Sequence, residues 1–371
     1  MAYRPGSDKI LLSIVGFLTI FGLVMVFSSS SSRASELGKM EHYFFLRQLV
    51  FAVVGFLALL TLMRTDYHFL QRPWVFTSIM VTSILMLVAV FFQTGRGQDE
   101  NIYRWLQIGS ASIQPSEFAK LAIILFLAWF FQKPENDIRQ SDRLAVPCVV
   151  IGLFALLILA GRDLGQTVML CLISISLLVI AGMRWYWVIG GVLLAIPAFY
   201  LGVYRVAYRW ERITTFLHPD KDPKGAGYQI LQSLIAVGSG GFAGLGLGDS
   251  RQKLLFLPEA HNDFIFAVIG EELGLIGATL IVAAFLVFFY RGMKIALNSS
   301  DRFGFYLATG ITIMVVLQGF ISISMVLSML PTKGVALPFI SYGGSSMLMN
   351  LAATGILLNL SYRNKLTEAT A

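Results

Sequence analysis

The sequence predicts an all-α polytopic membrane protein of about ten transmembrane helices, with both termini inside and one large extracytoplasmic loop between spans 7 and 8. Three observations predict it. Only 13% of the 371 residues are charged and 56% are hydrophobic, with a mean hydropathy of +0.73; a soluble domain carries about 25% charged residues. Apolar runs recur at close to the roughly 20 residues that cross a bilayer. Lysine and arginine are unevenly shared between alternate loops, as the positive-inside rule requires.

The expected spans are Ile10–Phe27, Phe44–Met63, Trp74–Phe92, Phe118–Phe131, Leu144–Ala160, Thr167–Gly182, Trp185–Val203, Phe264–Tyr290, Phe305–Leu330 and Ser345–Leu360, the fourth starting as early as Pro115. Ile10–Phe27 is long for a signal-peptide core and reads as a retained span. The whole chain, 1–371, reads as one integral-membrane domain. With the termini inside, cytoplasmic segments hold thirteen Lys and Arg residues and the short outer loops six. The long loop Tyr204–Asn262 adds seven outside, but at about 60 residues it lies at the limit of the rule. Net charge is +7 and pI about 9.4, yet no soluble domain exists to carry a nucleic-acid site, and no nucleic-acid partner is expected. Cys148 and Cys171 lie in apolar runs and read as buried thiols.

The motifs cluster in the outer loops and at the span ends beside them. In Gln114–Lys120, QPSEFAK, Glu117 and Lys120 are three apart and share a helix face, for a salt bridge or for chemistry. Arg104–Trp105 sets a cation and an aromatic at the outer interface, where Trp105 reads as an anchor. Asp163 is either a helix N-cap or a second acid facing the same side as Asp263. Gly238–Gly248, GSGGFAGLGLG, lacks the strand of a dinucleotide site and the Lys-Ser/Thr of a Walker loop, and reads as close backbone packing or a re-entrant turn. Arg251 and Lys253 follow it, as phosphate ligands or as interfacial cations. In LLFLPEAHNDFIFAVIGEELG, Pro258 suits a first helical position, which sets Asp263 in the second turn. A carboxylate at the mouth of a membrane helix is a functional candidate by default; the alternative is an acid answering the helix dipole. Glu271 lies roughly 12 Å beyond Asp263 along a helix, too far to act on the same bond. Glu271 and Glu272 are read as capping a wet cavity or as bonding neighbouring helices. Lys333, in the irregular loop Pro331–Ser346, is a phosphate ligand or a snorkelling lysine.

Together these segments resemble the SEDS family of bacterial wall-building membrane proteins (shape, elongation, division and sporulation) over nearly the whole chain. The carriers are RQLVF at Arg47–Phe51, RWLQIG at Arg104–Gly109, QPSEFAK, DLGQT at Asp163–Thr167, DPKGAGYQILQSLIAVGSGG at Asp222–Gly241, LPEAHNDFIFAVIGEELG at Leu257–Gly274 and LPFISYGGSS at Leu337–Ser346. GLGDSRQKLLFLPEAH and LPTKG are more similar to the division member than to the elongation member. Asn262 stands where the family has Thr, and Arg162 where it has Pro.

The resemblance implies polymerisation of lipid II into β-1,4 glycan strands at the outer face of the cytoplasmic (inner) membrane, at the division septum, with release of undecaprenyl diphosphate. It implies a class B penicillin-binding protein (FtsI-like) and other divisome membrane proteins as partners. Asp263 becomes the essential acid and general base, with Arg47, Arg104, Glu117, Lys120 and Asp163 as cavity residues. Lys120, Arg104, Lys333 and the loop arginines are the cations open to the leaving diphosphate. No cluster has the spacing of a dedicated metal site, so no cofactor is firmly expected, and magnesium or manganese is left open. The rival readings are a lipid II flippase, which Glu271 and Glu272 keep open, and a non-catalytic scaffold.

Overall fold

The computed structural model describes residues 7–93, 103–109, 111–138, 141–200, 204, 205, 207–219, 225–253, 257, 260–331 and 334–370. The helices are α1 Lys9–Glu36, α2 Tyr43–Arg64, α3 Pro73–Ala89, α4 Pro115–Phe131, α5 Ser141–Ala160, α6 Leu164–Ile180, α7 Trp185–Phe199, α8 Ala207–Leu217, α9 Ala226–Ser239, α10 Ile265–Leu297, α11 Arg302–Val326 and α12 Gly344–Thr370. Each of the ten expected segments overlaps one of these helices, several running a few residues past its end. Among the described residues, six helices are long and apolar enough to cross a membrane: α1, α2, α3, α5, α10 and α11. Their outward faces carry exposed Ile20, Leu57, Leu85, Leu156, Leu286 and Phe320, which makes this a multi-pass membrane protein.

Local chemistry sets the helix starts. Pro73 and Pro115 occupy first-turn positions, where the missing N–H is not needed. Asp8 caps α1 by accepting from the Leu11 N–H at 3.0 Å. α4 is apolar almost all round and buried on nearly every face, so it forms the axis of the bundle. α2 and α12 pack closely along their lengths: a Cβ at Gly355 would lie 2.6 Å from the Leu59 carbonyl oxygen.

Four expectations need correction. The chain is not purely helical, because Leu106–Ile108 (β1) and Ala111–Ile113 (β2) pair as a short antiparallel hairpin, Leu106 opposite Ile113. The segment 204–262 is not loop throughout. It contains α8 and α9, and α9 is sunk into the bundle, with Ile230, Ser233 and Ala236 buried and Ser233 Oγ donating to the Val326 carbonyl at 2.6 Å. Cys148 is exposed on α5 and Cys171 is half-buried; both are free thiols. An apolar run does not fix which face meets lipid, and Cys148 falls on the outward one. The fourth correction is the start of α10, taken up with the site.

The turn at 261–264, the 106–113 hairpin, the turn at 161–163 and the segment 334–343 gather at one end of the bundle. The bonds that join them include Tyr103 N–H to the Gly161 carbonyl and Tyr342 N–H to the His261 carbonyl. At the opposite end Tyr67 Oη donates to Asp301 at 2.6 Å and Arg363 pairs with Asp66 at 2.8 Å.

Candidate active site

α10 begins at Ile265, with Phe264 as its cap residue, so Asp263 precedes the helix rather than lying in its second turn. Pro258 lies outside the described residues and starts no described helix. Asp263 is half-buried, two residues before a helix whose positive end attracts an anion. Segment 334–343 passes directly over it. A Cβ at Gly334 would stand 3.0 Å from Asp263 Oδ2, so the missing side chain is what lets the backbone approach the acid. The same segment is fixed on both flanks. Tyr342 N–H donates to the His261 carbonyl at 3.0 Å, and the buried His261 ring lies 4.7 Å from Phe44 and 5.6 Å from Tyr342. Gln48 of α2 donates to the Ser341 carbonyl at 3.0 Å and accepts from the Gly343 N–H at 3.1 Å.

Beneath this surface runs a buried polar network. Lys120 Nζ lies 2.9 Å from Glu117 Oε1, as the three-residue spacing predicts, and both side chains are almost fully buried. Glu117 also accepts from Gln166 Nε2 of α6 at 3.0 Å. Lys120 donates to Gln318 Oε1 of α11 at 2.9 Å. Gln318 in turn donates to the Ala336 carbonyl at 2.9 Å and to Ser346 Oγ at 3.1 Å. The network therefore reaches the segment that covers Asp263. Taking two charges out of water is repaid only when each finds such partners, and removing one of them costs about 3–5 kcal/mol.

Asp163 joins from the turn between α5 and α6. Its Oδ1 accepts from the Gln166 N–H at 3.2 Å, which makes it the N-cap of α6, and its Oδ2 accepts from Gln114 Nε2 at 3.0 Å. Burial pushes its carboxyl above the usual carboxylate range, while Arg104 and the bonds from Gln166 and Gln114 pull the other way. Arg104 is half-buried and donates from Nη2 to the Arg162 carbonyl at 2.7 Å. That carbonyl is turned by a left-handed Arg162, φ 62°, a conformation closed to proline. Arg47 is half-buried beside Tyr43 and Tyr342. Burial pushes the Tyr342 phenol up, and Arg47 offsets part of the rise.

The structure thus links Asp263, Glu117, Lys120 and Asp163 through one set of contacts, with Arg47 and Arg104 at its edge. It places the other two cations elsewhere. Lys253 Nζ is held by Glu272 Oε1 at 2.8 Å and by Ser28 Oγ at 3.0 Å. Arg251 has an exposed side chain, and its backbone N–H donates to Glu271 at 3.0 Å. Lys333 lies outside the described residues. The sequence reading missed Gln48, Gln166 and Gln318. Their one signal is an amide inside an apolar run, which must find a hydrogen-bond partner once buried.

Fold and site define a polytopic membrane protein that keeps a half-buried acid, backed by a buried charged network, at one end of its helix bundle. The family model for the cell cycle proteins FtsW, RodA and SpoVE matches residues 8–366, and the chain belongs to that family. It is 42% identical over 364 residues to the probable peptidoglycan glycosyltransferase FtsW of Trichlorobacter lovleyi, covering 98% of this chain and 95% of the relative. It is also 42% identical over 360 residues to the stage V sporulation protein E of Bacillus subtilis, covering 96% and 98%. Among solved structures, a chain of a peptidoglycan synthase complex that coordinates polymerization and crosslinking superposes with TM-score 0.79 at 23% identity, covering 97% of this chain and 99% of that one. The Thermus thermophilus rod shape determining protein RodA superposes with TM-score 0.71 at 22% identity, covering 97% of each chain. At those identities the last two speak for the fold.

Proposed function

We propose that this protein is a peptidoglycan glycosyltransferase that polymerises lipid II, with Asp263 as its general base. The observation that carries the reading is the half-buried Asp263 ahead of α10, covered by the glycine-bearing segment 334–343, in a chain 42% identical over nearly its full length to a relative named for that activity. The ten apolar helices α1–α7 and α10–α12 are its spans, and the termini are inside by the distribution of Lys and Arg, which sets the Asp263 end on the outer face.

The donor sugar is α-linked to diphosphate and the product bond is β-1,4, so the anomeric carbon inverts. In one displacement Asp263 takes the proton of the acceptor 4-hydroxyl. The 4-oxygen bonds to the anomeric carbon, and the bond to the diphosphate breaks with its electron pair leaving on undecaprenyl diphosphate. Such base assistance is worth about 10²–10⁴-fold. Arg47 and Arg104, half-buried at this end, are the cations that would meet the diphosphate. A class B penicillin-binding protein is the natural partner, since a polymerase needs its strands cross-linked. The septum is the expected location, in keeping with the FtsW relative. The bonds of Glu271 and Glu272 to the 250–253 segment support the polymerase reading over the flippase that these two acids had kept open.

The test is glycan polymerisation from purified lipid II, using this protein with a class B partner whose transpeptidase site is inactivated. Asp263→Asn is expected to lower the rate by about 10²–10⁴-fold with folding and complex formation intact. Equal glycan ladders from both proteins would remove Asp263 from the chemistry. No ladders from either, with the complex intact, would favour the flippase or the scaffold.

A further inference from the structure

α10 is one helix by hydrogen bonding but is broken at Gly274, where φ is 63° and ψ −160°. A break in a helix releases backbone groups that must be paired elsewhere. Here the glycine-rich segment supplies the partners. Leu245 N–H donates to the Glu271 carbonyl at 3.0 Å and Gly246 N–H to the Glu272 carbonyl at 3.1 Å. On the other side of the break, Leu275 N–H donates to the Gly241 carbonyl at 2.9 Å and Ile276 N–H to the Phe242 carbonyl at 3.2 Å. The approach is so close that a Cβ at Gly274 would stand 2.6 Å from the Phe242 carbonyl oxygen.

The two acids beside the break extend this clasp. The buried Glu271 carboxylate accepts from Ser250 Oγ at 2.5 Å, from the Arg251 N–H at 3.0 Å and from the Gln252 N–H at 3.3 Å. Glu272, also buried, accepts from Lys253 Nζ at 2.8 Å and from Ser28 Oγ of α1 at 2.8 Å. Asp263 lies between the two attachment points in the sequence, after Ser250–Lys253 and before Glu271. One carboxylate therefore ties the Ser250–Gln252 end of this stretch to its Glu271 end, and Glu272 ties the same base to α1.

We infer that Glu271 is a positioning residue for Asp263: its three hydrogen bonds close the 250–271 ring and so hold the acid in register beneath segment 334–343. The Glu272–Lys253 pair anchors the same ring to the bundle. This assignment rests on Asp263 being the base. Glutamate suits the role because a carboxylate has only acceptors, and the three groups bonded to it donate. A glutamine would turn an NH2 toward one of them. Bonds to a buried carboxylate are also about twice as strong as neutral ones. A misplacement of about 1 Å at a reacting group costs about 10²-fold in rate.

The experiment uses the full chain in complex with its class B partner and reads two quantities. The first is hydrogen–deuterium exchange of peptides spanning 250–263, which reports the clasp whether or not the protein polymerises glycan. The second is kcat and KM for lipid II. Glu271→Gln is expected to speed exchange across 250–263 while leaving that of 275–297 unchanged, and to lower kcat by about 10- to 100-fold with KM within about twofold. Glu271→Asp, which keeps an acceptor-only side chain, is expected to recover part of kcat. Ser250→Ala removes one bond without touching a charge, and is expected to shift both readouts in the same directions by less; it decides the matter should Glu271→Gln fail to fold. Faster exchange with unchanged kcat would overturn the positioning role, and unchanged exchange would overturn the clasp itself. A wild type that polymerises nothing but shows the exchange change in Glu271→Gln would keep the clasp and sink the polymerase reading instead.

Discussion

Asp263 and Glu117 are carboxylates at the same end of one helix bundle, and the protein treats them oppositely. Glu117 is 3% exposed, a turn from a lysine 2.9 Å away and touched by an amide of a second helix. Asp163, Glu271 and Glu272 follow that pattern, at 7%, 1% and 0% exposure, each spent on holding backbone or a cation. Asp263 is half-buried, sits outside the helix and lies under a glycine. Charge inside a membrane protein is therefore not by itself a mark of chemistry. What sets Asp263 apart is burial: it is only half-buried, whereas the other four acids are almost fully enclosed. A cavity of about 630 Å³ lies at the opposite end, between the ends of α4, α6 and α11, lined by Lys133, Asp137, Asp301 and Arg302. It is remote from Asp263 and from the network that leads to it.

The contrast breaks most sharply if the two acids are exchanged in their effects. Asp263→Asn is the largest expected loss of rate and should leave thermal unfolding unchanged. Glu117→Gln or Lys120→Met should do the reverse in kind, lowering stability by about 3–5 kcal/mol, because each leaves an uncompensated charge or donor in the core. Glu117→Gln combined with Lys120→Met removes both charges and should recover most of that loss, which thermal unfolding in a lipid nanodisc would measure. A double variant no more stable than the singles would mean that the network, not the pair, carries the cost.

The mostly helical, multi-pass character of the chain was legible because length and hydropathy are local properties. The helix start at Pro115 and the Glu117–Lys120 pair were legible because fixed φ and three-residue spacing act locally too. The start of α10 was not. Pro258 carries a helix-start signal, and Phe264 offers no capping side chain that would have competed with it. The break at Gly274 was equally hidden: a glycine within an apolar run costs only about 1 kcal/mol in a helix, and the pairing that exploits it comes from some thirty residues upstream. The roles of Gln166 and Gln318 depend on which helices α4 meets, information that no single segment contains. The hairpin at 106–113 was present as two three-residue strands around Gly109, too short for alternation to stand out.

A smaller change sharpens the role given to the covering segment. At Gly334 an added methyl would stand 3.0 Å from Asp263 Oδ2, tighter than an ordinary contact, so either the segment or the acid must give. Gly334→Ala is expected to lower kcat about tenfold, short of the 10²-fold that a full ångström of misplacement costs, with little change in unfolding temperature. An unchanged kcat would mean that the segment yields freely and that Asp263 is positioned from the 250–271 side alone.

The smallest expected effect is at Asp163, and it tests whether a closed-in acid is fully compensated. Burial raises its pKa despite Arg104 and two hydrogen bonds, so the folded chain holds this proton more tightly than the unfolded one. Below the ordinary carboxylate value both states are protonated and pH has no effect through this group. Between the ordinary and the raised value only the unfolded chain has released the proton, so rising pH erodes stability, by about 1.4 kcal/mol for each unit of separation, and above the raised value the loss is complete and constant. Asp163→Asn keeps an oxygen for the Gln166 N–H and removes the titration. Its unfolding temperature should therefore match wild type at low pH and exceed it increasingly across that window. Parallel curves would show that Arg104, Gln166 and Gln114 offset the burial in full, which would place Asp163 beside Glu117 as an acid whose charge the bundle carries at no net cost.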